Sequence, residues 1–196
     1  AIKIDPGYAE AYNNLGIAFK QLGKLNESIN SYQKAIKINP KYAEAYNNLG
    51  VTFKQLGKLN ESINSYQKAI KINPKYAEAY SNLGNALKEQ DDLNGAIVSY
   101  HNAIEINPIF INAHNNLGHA LKEQGDLAGA IASYKRVIKI DRAHAETQFN
   151  LGNTLQELGD LQAAIQSYNR AIEISPNYAE AHSNLGAVLQ IKGELA

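Results

Sequence analysis

Cysteine is absent from this chain of 196 residues, and so is methionine. Without cysteine there is no disulfide, no thiolate metal site and no thiol nucleophile. The missing methionine includes position 1. The chain opens on Ala1-Ile2-Lys3-Ile4, in a helical pattern, and reads as a piece of something longer. No run of 18 apolar residues occurs, which argues against a transmembrane helix. No signal-peptide pattern stands at the start. The compartment stays open on these grounds, with a cytoplasmic one favoured. Formal net charge is zero, which gives no reason to expect nucleic acid or an anionic membrane as a partner.

Chemical motifs are missing as well. His101, His114, His119, His144 and His182 are scattered, and no two of them stand at i, i+4 beside a carboxylate. His114 and His182 fall at an otherwise tyrosine position and are expected to pack. There is no Gly-x-Ser-x-Gly elbow and no Gly-x-x-x-x-Gly-Lys loop. Asn-Glu-Ser at 26–28 and 60–62 matches a glycosylation acceptor, read as chance without a signal peptide. The expectation is a non-enzymatic segment with no cofactor and no metal.

What the chain does have is repetition. Pro6, Pro40, Pro74 and Pro108 are spaced by 34 residues, and Arg142 stands where the next proline is due. Glycines at 16, 50, 84, 118, 152 and 186 keep the same period. A fixed period of this length signals an array of like units. Residues 1–8 are then the tail of a preceding unit. Full units run 9–42, 43–76, 77–110, 111–144 and 145–178, and 179–196 is a partial unit, all within one array over 1–196. The first two units differ only at Ile17/Val51 and Ala18/Thr52. The zero net charge hides a gradient: residues 1–76 carry 11 Lys against 5 acids, and residues 77–196 carry 8 basic against 14 acidic side chains.

With each unit numbered from its first residue, positions 4, 7, 8 and 11 hold Tyr12, Leu15, Gly16 and Phe19. That spacing predicts an apolar helix stripe over about 9–22. Gly23 suits a left-handed residue at the helix end; the third unit has Asp91 there. Asn26 is expected to cap a second helix over about 26–39, which buries Ile29, Tyr32, Ile36 and Ile38. Small Ser28 and Ala35 mark close approach, and Pro40 turns the chain.

Tyr46, Leu49, Gly50, Phe53, Gly57, Ser62, Tyr66, Ala69 and Pro74 in this order resemble the tetratricopeptide repeat, and the likeness runs along essentially the whole chain. Gln148, Val137 and Arg142 depart from the pattern. The resemblance implies an all-α fold, a right-handed α-solenoid of helix-turn-helix units whose first helices line a concave groove. Neighbouring units would supply each other's core.

Every unit places an asparagine at position 6: Asn14, Asn48, Asn82, Asn116, Asn150 and Asn184. At 100° per residue the stripe 4, 7, 8, 11 spans about 100° of arc, and position 6 lies about 200° from position 4. These six amides therefore point away from the second helix. Each offers a donor and an acceptor, as a peptide bond does. The ladder is similar to that in the repeat region of O-linked N-acetylglucosamine transferases and their bacterial relatives. Asn13, Asn47 and Asn115 at position 5, and Asn85 and Asn153 at position 9, are further candidate contacts. So are Lys20, Lys54, Lys88 and Lys122 at position 12, which either attract acidic side chains or are simply solvated. The asparagines also have a structural reading, as bonds to the adjacent repeat. Asn13 and Ile17 do not match the carboxylate-gripping clamp of chaperone-binding relatives. Phe149 either anchors a ligand or folds back in place of the aromatic missing at Gln148.

The expected function is a protein-interaction scaffold that binds an extended peptide in its groove. Its rivals are a substrate-recognition arm of a larger enzyme, such as a protein O-glycosyltransferase, and a self-assembling module. Weak end-to-end association is expected from the apolar ends, Ile2 and Ile4 at one and Leu185, Val188, Leu189 and Leu195 at the other.

Overall fold

The computed structural model describes residues 8–193, and its helices keep the 34-residue register. They are α1 (Ala9–Gln21), α2 (Leu25–Ile38), α3 (Ala43–Gln55), α4 (Leu59–Ile72), α5 (Ala77–Glu89), α6 (Leu93–Ile106), α7 (Ile111–Glu123), α8 (Leu127–Ile140), α9 (Ala145–Leu158), α10 (Leu161–Ile174) and α11 (Ala179–Lys192). No strand occurs among the described residues. The fold is all-α, a tandem array of helix-turn-helix units of the solenoid class. Two compact units divide it, one ending at Asn107 and the other beginning at Pro108. Ile2, Ile4 and Leu195 lie outside the described residues.

Each odd-numbered helix, here helix A, ends at a turn that demands a left-handed residue. Gly23, Gly57, Gly125 and Gly159 supply it, with φ between 72° and 88°. Asp91 adopts φ 65° at the same place without being glycine. The second helix, helix B, begins one residue before the expected cap. Leu25 opens α2 behind Lys24, which makes no side-chain cap bond. Asn26 is thus inside the helix and caps nothing there. The effective caps stand two positions earlier and occur only in later units. Asp92, Asp126 and Asp160 accept from the amides of Gly95, Gly129 and Ala163 at 2.9, 2.9 and 3.1 Å.

Within a unit, helix A lies against helix B where one side chain is missing. The Tyr32 ring covers Gly16 so closely that a Cβ there would stand 2.5 Å from it. Gly50 and Tyr66, Gly84 and Tyr100, Gly118 and Tyr134, and Gly152 and Tyr168 repeat the arrangement. All five rings are buried. The Ser28 and Ser62 hydroxyls donate to the Gly16 and Gly50 carbonyls at 2.8 and 2.9 Å, as close approach at position 20 requires.

Two expectations about burial are corrected. Ile38 is 38% exposed rather than buried, since it is the last residue of α2, and Ile36 is half-buried. The apolar stripe of helix A is also wider than positions 4, 7, 8 and 11. Ala45 and Thr52, at positions 3 and 10 of α3, are fully buried beside Leu49. Tyr46 and Phe53 are only half-buried. The exposed side of Tyr46 lies under Lys68 Nζ, 5.8 Å from the ring centroid, and Tyr12 lies likewise under Lys34 at 5.7 Å. Positions 3 and 10 fall about 260° and 240° round the helix, next to position 6 at about 200°. The ladder therefore lies on the rim of the buried face.

In the second compact unit, the core gathers Tyr134, Leu151, Leu155, Ile165, Tyr168 and Val188. His114 is buried, with Nε2 3.0 Å from the Pro108 carbonyl oxygen. His182 makes the same contact to Pro176 at 2.8 Å but is exposed. Gln148 is buried in the tyrosine position. Phe149 turns onto Tyr178 and Tyr168, with centroids 5.0 and 6.0 Å away, and is half-buried.

Candidate peptide-binding face

In the first compact unit, α1, α3 and α5 each contribute one ladder amide. Asn14 is exposed, and Asn48 and Asn82 are half-buried. None of the three is sealed between repeats. The amides of Asn48 and Asn82 are nonetheless tied to the repeat before. Asn48 Nδ2 donates to Asn13 Oδ1 at 3.1 Å, and Asn82 Nδ2 donates to Asn47 Oδ1 at 3.0 Å. Asn13 and Asn47 are buried and serve as the anchors of these bonds. Asn13 in turn points its Nδ2 at Glu44 Oε1, 3.5 Å away. A carboxylate only accepts, so this contact fixes which end of the Asn13 amide faces Asn48. Asn48 must then give an N–H inward and turn its carbonyl oxygen outward.

Asn85 is held differently, accepting the buried hydroxyl of Tyr100 at 2.8 Å. Position 9 is Ile17 in the first unit, which offers the buried Tyr32 hydroxyl no such acceptor; the Ser28 and Thr52 hydroxyls stand near it instead. Lys54 pairs with Glu89 of the following repeat at 2.9 Å. The residue one repeat before Glu89 is Gln55, which offers Lys20 no charge. Lys20 and Lys88 are half-buried.

The second compact unit ties its ladder mainly through position 9. Asn184 Nδ2 donates to Asn153 Oδ1 at 2.8 Å, and that same oxygen accepts the Tyr168 hydroxyl at 2.8 Å. Asn150 Nδ2 meets His119 Nε2 at 3.3 Å. Asn115 accepts the Thr147 hydroxyl at 2.7 Å, and Asn116 is half-buried. Lys122 pairs with Glu157 at 3.0 Å.

A feature not anticipated from the sequence runs beside the first unit's ladder. Tyr8, Tyr42 and Tyr76 precede the three A helices, and Glu10, Glu44 and Glu78 occupy their first turns. The Tyr8 hydroxyl donates to Glu10 at 2.8 Å. Burial raises the Tyr42 hydroxyl above its ordinary pKa, and the carboxylates of Glu44 and Glu10 add to the rise. Burial pushes Tyr76 up to about 12, with Glu44 and Glu78 adding and the Asn47 amide opposing. The Tyr42 hydroxyl thus feels the carboxylates of two successive repeats, Glu44 and Glu10, and the Tyr76 hydroxyl those of Glu44 and Glu78. The 34-residue recurrence of Tyr-Ala-Glu carried the signal, but it lay outside the apolar stripe.

The repeat profile described as TPR repeat matches residues 18–57, 52–91, 84–125, 118–159 and 152–193, and one described as tetratricopeptide repeat matches 1–30. The chain belongs to the tetratricopeptide repeat family. No curated protein sequence matches this TPR chain. Among solved structures it resembles YrrB, described as a TPR protein with an unusual peptide-binding site, at 23% identity and TM-score 0.77, over 94% of this chain and 95% of that one. It also resembles MamA, at 27% identity and TM-score 0.78, over 84% and 96%. PilF of Pseudomonas aeruginosa superposes with TM-score 0.82 at 21% identity, over 95% and 85%. A TPR fold with TPR neighbours supports a protein–protein interaction scaffold. No helix among the described residues is long and apolar enough to cross a membrane.

Proposed function

We propose that this TPR segment binds an extended peptide along its A helices, and that it is a binding module rather than an enzyme. Asn14, Asn48, Asn82, Asn116, Asn150 and Asn184 are the contacts to the ligand backbone. Asn13, Asn47 and Asn153 hold the amides of Asn48, Asn82 and Asn184, and Asn115 and Asn85 beside the ladder are further contacts. The observation that carries the reading is the state of Asn48 and Asn82. Each is half-buried, has one N–H bound inward, and has a carbonyl oxygen with no hydrogen-bond partner among the described residues. A purely structural asparagine needs no such outward acceptor. Lys54 and Lys122 are neutralised by Glu89 and Glu157 and contribute little attraction for acids.

The test replaces Asn48, Asn82 and Asn116 together by alanine. Circular dichroism is expected to stay helical, because alanine has the higher helix propensity. Binding of peptides captured from a random extended library should weaken by about 0.5–1.5 kcal/mol per lost bond. Undiminished binding by the triple variant would sink the reading.

A further inference from the structure

We infer that His119 is the positioning residue for Asn150 in the ladder, and that protonating its ring turns that amide over and withdraws the acceptor a peptide N–H would use. This rests on the peptide-binding reading and adds its regulation. The geometry lies within the second compact unit. Asn150 Nδ2 stands 3.3 Å from His119 Nε2, and both side chains are half-buried. An amide nitrogen only donates, so Nε2 is the acceptor and the ring is neutral, with its proton on Nδ1. Asn150 keeps its second N–H and its carbonyl oxygen for a ligand. A protonated ring carries an N–H at Nε2 instead. Two donors then face each other, and the contact is restored only when Asn150 rotates to offer its oxygen. That bond is charge-assisted and the stronger of the two. The turned amide shows two N–H groups outward and no carbonyl oxygen. A peptide group needs a donor and an acceptor together, so Asn150 loses half of its match. Asn48, Asn82 and Asn184 have no such switch, because they give to the amide oxygens of Asn13, Asn47 and Asn153.

Packing alone does not account for a histidine here. Asn85 and Asn153, at the same position of their units, accept the buried hydroxyls of Tyr100 and Tyr168 at 2.8 Å. The Tyr134 hydroxyl is buried and has no hydrogen bond among the described residues. His119 meets Tyr134 ring to ring instead, with centroids 5.6 Å apart and planes at 78°. The imidazole thus gives up a bond that asparagine would make, and keeps a group that titrates near neutral pH. Lys122 and Glu123 follow it by one turn on α7. Tyr134 faces it from α8, and burial, with Glu146 adding, holds that hydroxyl protonated. On α9, Glu146 lies one turn before Asn150, and Glu157 is held by Lys122 at 3.0 Å.

The experiment uses the isotope-labelled full chain, titrated from about pH 8 to about pH 5, the range in which histidine gains its proton. The His119 Nε2 resonance is expected to pass from the unprotonated to the protonated position. The side-chain N–H pair of Asn150 should shift with the same midpoint. In parallel, anisotropy follows a fluorescein-labelled peptide captured at the alkaline end from a random dodecamer library. Its affinity should fall about fivefold at the acid end, the effect of one neutral hydrogen bond. His119→Asn keeps an inward acceptor that cannot titrate, and should remove the pH dependence. His182→Tyr, at an exposed histidine bonded to Pro176, should keep it. A pH dependence that survives His119→Asn overturns the inference, as does one that His182→Tyr removes. So does an Asn150 resonance that ignores the titration, or a helical circular-dichroism signal already lost at the acid end. In each of these cases binding at the alkaline end leaves the groove reading intact. If no peptide binds at any pH, both readings fall.

Discussion

At the scale of the residue, the decisive contact is a glycine under a tyrosine ring. Gly50→Ala drives a methyl group into Tyr66, whose ring is buried and cannot swing aside. Overpacking of this kind costs about 1–3 kcal/mol. Gly186 is the same residue in the partial unit, with nothing within 4 Å of a Cβ. Gly186→Ala should instead gain up to about 1 kcal/mol from helix propensity. Urea melts of the two variants are expected to move in opposite directions, and a shared loss would refute the account. The recurring Gly and Tyr positions were legible in the sequence, but their contact was not, since close approach was read at Ser28 and Ala35. The anchoring role of Asn13 and Asn47 was not either, because a buried amide and an exposed one are the same letter. Only the fold, which buries Asn13 and Asn47 and leaves Asn48 and Asn82 half-buried, tells them apart.

At the scale of the element, helix existence followed from period and turn residues, and the boundaries came within a residue or so. The faces were harder to read. Positions 3 and 10 of helix A are fully buried in α3 and α5, yet they hold alanine or threonine, residues with little apolar weight. The start of helix B was misplaced for a related reason. Asn26 is a good capping residue, but Leu25 must enter the helix to reach the core side, and that moves the cap to position 16. There Lys24 and Lys58 offer nothing, while Asp92, Asp126 and Asp160 cap their helices. Lys58→Asp should therefore supply a missing bond to the Glu61 amide and raise stability by about 1 kcal/mol. A melting temperature at or below that of the parent chain would count against this geometry.

At the scale of the whole molecule, tyrosines shielded from water set an alkaline limit. Burial holds Tyr66 and Tyr76 protonated up to about 12, against 10.0 in the unfolded chain. Both folded-state values are raised, so the associated stability is complete below pH 10 and is lost as pH climbs toward 12. Chemical melts across that window should show a steady fall; a flat profile would mean the rings ionise without unfolding. Among the described residues, Ile191 of α11 is 65% exposed and open space lies beside Gly186. The chain also carries its positive charge in residues 1–76 and its negative charge beyond. Weak self-association that disappears as salt is raised is the expected sedimentation behaviour. A monomer at high concentration and low salt would exclude it.

The Gly–Tyr contact has a further consequence for how such a chain changes length. Both partners belong to the same 34 residues, as do the Ser62 and Gly50 groups that bond beside them. Each module thus closes its own latch and meets its neighbour through apolar packing, as in Ile29 and Tyr32 against Leu49, and through a matching polar seam. Between the first three modules the polar seam is an asparagine giving to an asparagine, Asn48 to Asn13 and Asn82 to Asn47. A duplicate of residues 43–76 spliced in after Asn39-Pro40-Lys41-Tyr42 would present the right amide to both sides. Gain or loss of a whole module is then nearly neutral for folding, whereas an insertion of any other length would break a latch.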